Sequence, residues 1–154
     1  MEELNSYLGM AKSDYSFAKS SLDVGEMVGN YNQVVAILAQ AGEKYLKAVI
    51  ELCFIGDDDA MVLLHSHNLR ALYNKVITKF ELKVSSRDCK WLGDFYFDAR
   101  YPGDNFVVAN RKDADECLKI VKQLEIDITK IIFAERKKRQ ERAKALKAFS
   151  AFDT

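Results

Sequence analysis

The chain has 154 residues, 49% of them apolar and 30% charged, which fits one globular domain with a core of its own. Its formal net charge is zero, which excludes a generic polyanion binder, and no apolar run approaches the roughly 18 residues of a membrane span. One proline and seven glycines leave few breaks and favour long helices, while three scattered cysteines, Cys53, Cys89 and Cys117, lack metal-binding or disulfide spacing. They read as small buried thiols of a reducing cytoplasm. The acidic start, Met1 to Asn5, lacks a signal-peptide pattern.

In chain order, Leu4, Leu8, Ala11, Tyr15, Ala18 and Leu22 recur at helical spacing and predict an amphipathic first helix. Gly25 to Gly29 read as a helix–helix turn, with Asn30 as a cap for the next helix. That helix has the strongest periodicity in the chain: Val34, Ile37, Leu38, Ala41, Tyr45, Ala48, Val49 and Leu52 predict a long second helix. Ala36, Ala39, Ala41 and Gly42 give it a smooth patch for close approach of another helix. Glu43, Lys44 and Lys47 form a polar rim beside Tyr45, expected to face solvent. Gly56 with Asp57-Asp58-Asp59 should end the helix in an exposed turn.

A third helix opens at His67 or Asn68 and carries Leu69, Leu72, Tyr73, Val76, Ile77 and Phe80. A fourth runs from Ser86 to Arg100, where Pro102-Gly103 breaks it. A fifth starts after Asn110, with Ala114, Cys117, Leu118, Val121, Leu124, Ile128 and Ile131 in period. From Arg136 the chain is basic and alanine-rich, and should extend the helix into solvent or fray. The expected fold is therefore all-α, an antiparallel up-and-down bundle of four to five helices over residues 1–135, with a basic C-terminal extension over 136–154.

The chemistry-bearing residues concentrate in two segments. His65-Ser66-His67-Asn68-Leu69-Arg70-Ala71-Leu72 holds both histidines, whose i, i+2 spacing suits a shared metal poorly on a helix. No metal site is expected, and the plain structural role of His67 and Asn68 is to cap the third helix. Arg100-Tyr101-Pro102-Gly103-Asp104 places a guanidinium at a helix end. There it either meets carbonyls and the carboxylates of Asp98 or Asp104, or forms a cationic fork beside an aromatic ring suited to a phosphate and a base. No nucleophile elbow, phosphate-binding glycine loop or dinucleotide fingerprint is present, and no cofactor is implied.

Three motifs in order resemble the HEPN family (higher eukaryotes and prokaryotes nucleotide-binding domain). Residues Ala39 to Ala48, AQAGEKYLKA, resemble its A-x-x-A-E-K-x-L-K-A stretch. Residues 65–72 are similar to its S/T-H-[DN]-L-x-x-L segment, with His67 as the family histidine, and Arg100 to Asp104 look like its R-Y-P-D turn with one glycine inserted. The resemblance spans residues 4 to 132. It implies a helical bundle that pairs as a homodimer and contacts nucleotides or RNA. It also implies frequent encoding beside a small nucleotidyltransferase partner, in toxin–antitoxin or defence pairs.

The family's ribonuclease branch carries R-x4-6-H. Both histidines here precede Arg70 and Arg100, so that pattern is missing. The expectation is a binding module without that catalysis, holding a nucleotide or RNA phosphate near His67, Arg70, Arg100, Tyr101 and Lys44. The alternative is a divergent ribonuclease toxin.

Overall fold

The computed structural model describes residues 2–152; Met1, Asp153 and Thr154, the outermost residues of the expected bundle and tail, lie outside the described set. Seven helices and no strand occur among the described residues. They are α1 (Tyr7–Ser20), α2 (Leu22–Val28), α3 (Asn32–Cys53), α4 (Asp58–Leu63), α5 (Leu69–Val76), α6 (Ser86–Asp98) and α7 (Arg111–Ser150). Five of them are the periodic segments read from the sequence, and the bundle is all-α as expected.

The central helix is α3, because it alone is apolar on most of its circumference. Val35, Leu38, Tyr45, Leu46, Val49 and Ile50 are all inaccessible to solvent. It packs against α1, α5, α6 and α7. The smooth patch is where this crowding is greatest: a Cβ on Gly42 would lie 2.9 Å from Leu92, 3.3 Å from Leu69 and 3.5 Å from Leu124. Glycine at this position therefore lets α5, α6 and α7 all reach the α3 backbone.

Polar side chains start the helices where the sequence allows. Ser6 accepts a hydrogen bond from the Gly9 amide at 3.0 Å, and Asn68 accepts one from Ala71 at 3.0 Å. Ser85 with Asp88 and Asn110 with Asp113 form reciprocal capping boxes at the starts of α6 and α7.

Two short helices replace expected turns. The segment around Gly25 is helical, and its stop is Gly29, in the left-handed region at φ 67°. Asn30 does not supply the N-cap residue of α3, which is Tyr31; its side chain instead accepts the Asn32 amide at 2.9 Å. After Gly56, at φ 86°, Asp57 caps α4 by accepting from Ala60 at 3.0 Å. The consecutive carboxylates thus open a helix, where its positive dipole end favours them, rather than a loop. Meanwhile α5 stops at Val76, short of Phe80.

The last helix runs 40 residues without a break, about 60 Å at the α-helical rise. Arg136 reaches back to Glu2 through two hydrogen bonds of 2.7 and 3.1 Å, and Arg139 donates to the Leu52 carbonyl. Residues 140–152 are exposed throughout.

Candidate functional site

The polar rim expected on the solvent side of α3 is largely inside the protein. Tyr45 is fully buried, and Glu43 and Lys47 retain 6% and 4% exposure. The Lys47 ammonium donates to Glu43 Oε1 at 2.6 Å, one helical turn away. An ion pair this deep holds together only if its remaining lone pairs find partners. The second partner of Glu43 is His67, whose Nδ1 lies 3.1 and 3.2 Å from the two carboxylate oxygens.

His67 sits in the short connection before α5 and does not cap that helix; Asn68 does, aided by Ser66 accepting the Asn68 amide at 3.0 Å. The imidazole turns toward α3 and α6 instead. It stacks on Tyr96, with centroids 4.8 Å apart and planes 15° from parallel, and Phe97 meets it edge-on at 6.4 Å. Its Nε2 has no hydrogen-bond partner among the described residues, and the side chain is half exposed.

The same Tyr96 ring carries Arg100, whose guanidinium carbon lies 5.2 Å from the centroid, with Tyr101 at 5.6 Å on the next residue. Arg100 has no ion pair with Asp98 or Asp104 among the described residues, so the aromatic environment, not a carboxylate, holds it. A continuous array results: Lys47, Glu43, His67, Tyr96, Arg100, Tyr101. Its first members are buried and its last is 57% exposed.

The loop after α6 is fixed by a residue the sequence did not single out. Asn32, 5% exposed at the start of α3, donates to the carbonyls of Ala99 at 3.0 Å and Val107 at 2.9 Å, and accepts the Ala109 amide at 2.8 Å. The Val107 amide also donates to the Asp98 carbonyl at 2.8 Å. Both stems of the loop carrying Arg100 and Tyr101 are thereby tied to α3 and to each other. Gly103 keeps an ordinary negative φ, so the turn after Pro102 does not draw on glycine's conformational freedom.

Beside His67 an open groove of about 590 Å³ runs between α5 and α6, walled by Arg70, Lys90, Asp94, Phe97 and Asp98 among others. Lys90 is occupied by Asp94 at 3.0 Å, whereas Arg70 has no ion pair among the described residues. Lys44 stands apart. It pairs with Asp14 on α1 and borders a different cleft, lined by Tyr7 and Glu51. So His67, Arg100 and Tyr101 are brought together, Arg70 shares a groove with His67, and Lys44 faces α1. No group of three or more His, Cys, Asp or Glu residues among those described is placed to hold a metal ion.

A family model of the HEPN domain matches residues 4–130. The chain belongs to the HEPN domain family. No curated protein and no solved structure gives a significant match. Within this HEPN bundle the three motifs converge through side chains. Glu43 comes from the α3 stretch, His67 from the segment before α5, and Arg100 and Tyr101 from the turn after α6. Glu43 and Tyr96 carry the contacts between them, and a single sequence reveals neither link: a Glu in an E-K pair reads as surface, and Tyr96 reads as one more aromatic on an amphipathic helix.

No helix among the described residues is long and apolar enough to cross a membrane.

Proposed function

We propose that this HEPN bundle is a binding module whose His67–Arg100 end takes the phosphate and base of a nucleotide or an RNA. The observation carrying this reading is the aromatic-backed cation. Arg100 is positioned over Tyr96 and beside the exposed Tyr101, with no ion pair among the described residues, leaving its five N–H donors available for phosphate and the Tyr101 ring for a base. Arg70, across the adjoining groove, supplies a second cation with no ion pair among the described residues. Lys44, engaged by Asp14, is a weaker contributor.

The proposal includes pairing of two copies. Phe97, Tyr101, Phe106, Val107 and Val108, on and beside the Asn32-anchored loop, each expose apolar surface of the kind found at protein contacts. Residues 1–135 form the binding unit and 136–154 a basic appendage, with a nucleotidyltransferase as the candidate heterologous partner. The free thiols suit the cytoplasm.

Titrating mono- and dinucleotides against the purified protein tests the site. Binding in the micromolar-to-millimolar range, weakened at least tenfold by Arg100→Ala, is expected. Absence of binding at millimolar nucleotide, or an Arg100→Ala variant equal to wild type, overturns it.

A second reading, a divergent ribonuclease of a toxin–antitoxin or defence pair, is favoured by one feature. Glu43 holds Nδ1 of His67 and leaves Nε2 open, the arrangement a general acid–base imidazole uses. Incubating total RNA with wild type and His67→Ala decides it: cleavage lost in the variant supports the enzyme, and cleavage by neither or by both equally removes it.

A further inference from the structure

Where α1 and α7 pack together lies a groove of about 690 Å³ whose chemistry differs from that of the His67 end. The Glu2–Arg136 pair and the position of Lys122 over the Tyr15 ring, 5.5 Å from its centroid, show that α1 and α7 run antiparallel. From α1 come Lys12, Ser16, Lys19 and Ser20, four residues on one helical face; from α7 comes Lys122. Among the described residues one carboxylate borders the groove, Glu125, which pairs with Lys122 at 3.1 Å. Lys12 and Lys19 have no ion pair among the described residues, and neither serine hydroxyl has a hydrogen-bond partner there.

The groove opens onto a stripe that runs along α7 far beyond it. Lys119, Lys122, Ile126, Lys130, Phe133 and Lys137 recur at spacings of three, four, four, three and four, one face of a straight helix. Lys144 continues the line seven residues later, with Glu141 the exposed carboxylate on that face between Lys137 and Lys144. From Lys119 to Lys144 the stripe is about 38 Å long, with successive ammoniums beyond Lys122 about 10–12 Å apart. All five lysines are exposed, and Phe133, between Lys130 and Lys137, is 71% exposed. Because the whole chain is neutral, this is local segregation of positive charge and not a general basicity.

We propose that the α1–α7 face is a second binding site, a track for the backbone of single-stranded nucleic acid. Lysines are point charges without a recognition fork, and serine hydroxyls complement phosphate oxygens, so the groove suits phosphate without reading sequence. The straight single row tracks one strand along its length, whereas a duplex backbone winds away from a straight ridge. Phe133, exposed within the row, offers a face on which a base stacks. The groove shares no lining residue with the His67 groove, and neither Arg100 nor Tyr101 borders it.

Fluorescence anisotropy of a labelled 12-nucleotide oligouridylate with the full chain, over a series of salt concentrations, tests this. The triple variant Lys12→Gln/Lys19→Gln/Lys130→Gln keeps helix formers at exposed or half-buried positions. Its affinity is expected to fall at least tenfold, and its log–log salt slope to shrink by about 2, since each phosphate no longer neutralised removes about 0.7. The corresponding triple arginine variant should retain wild-type binding, and the glutamine substitutions should reduce the slope by the same amount in an Arg100→Ala background. Mononucleotide titration of the glutamine variant should match wild type, so failure of the track and failure of the Arg100 site read out separately. The proposal is overturned by absence of oligonucleotide binding at low salt, by equal slopes for wild type and the glutamine variant, or by binding of a DNA duplex or polyglutamate as tightly as the single strand.

Discussion

Glu43 is the residue on which the candidate site depends. Buried between an ammonium and an imidazole, it is the sole carboxylate partner of Lys47 among the described residues and fixes the orientation of His67. Removing one member of such a pair leaves the other charge in a medium that solvates it poorly, a loss of about 3–5 kcal/mol. Glu43→Ala is therefore expected to lower the urea midpoint by a corresponding amount and release the histidine ring from Tyr96. Glu43→Leu combined with Lys47→Met removes both charges and should recover most of the stability while leaving His67 unanchored. Equilibrium unfolding gives the first quantity, and the His67 ring-proton shifts in NMR spectra, moved by loss of the Tyr96 ring current, give the second. If Glu43→Ala unfolds at the same midpoint as wild type, the ion pair does not carry the stability assigned to it.

At the scale of helices, α3 explains why the bundle has the shape it does. Gly42 faces three leucines from three different helices, so the approach of α5, α6 and α7 is limited by one missing side chain. Gly42→Val forces a branched group into that space and should cost about 1–3 kcal/mol through displaced leucines, despite the better helix propensity of valine. Thermal unfolding checks this, and a variant as stable as wild type would show that the leucines repack freely. This close-packing patch was legible from Ala36, Ala39, Ala41 and Gly42, as were the five long helices, because periodicity reports which face is buried. The short helices α2 and α4 were not. Their seven and six residues are too few to show a period, and glycines and aspartates that signal turns serve equally as helix ends. The polar rim was misplaced for a related reason. Spacing puts Glu43 and Lys47 on one face, but only the tertiary partner His67 shows that this face turns inward. Asn32 was invisible for the same cause, since its three partners lie 67 to 77 residues away.

For the whole molecule, the buried acids set an alkaline limit. Cys89 and Cys117 are completely inaccessible to solvent. Burial pushes the Cys89 thiol up to about 12, with Asp88 adding to the effect, and raises Cys117 further, helped by Asp113 and Glu116. An unfolded chain releases these protons near pH 8.5, whereas the native state retains them. Above that pH the unfolded state binds fewer protons than the native one, so stability falls as pH rises, by up to about 1.4 kcal/mol per pH unit for each thiol. Below the unfolded value the contribution is constant, and the native state has its full stability there. Urea midpoints should accordingly be flat near neutrality and decline between about pH 8.5 and 10. Above that range the tyrosines join in: Tyr45 is raised chiefly by burial, and its hydroxyl lacks a hydrogen-bond partner among the described residues. Replacing both thiols with alanine lowers the absolute midpoint by opening small cavities, but it should flatten the slope between pH 8.5 and 10. Comparing slopes rather than midpoints separates ionisation from packing. Wild type and the Cys89→Ala/Cys117→Ala variant declining in parallel would place the alkaline limit elsewhere, in the lysine-rich surface of α1 and α7.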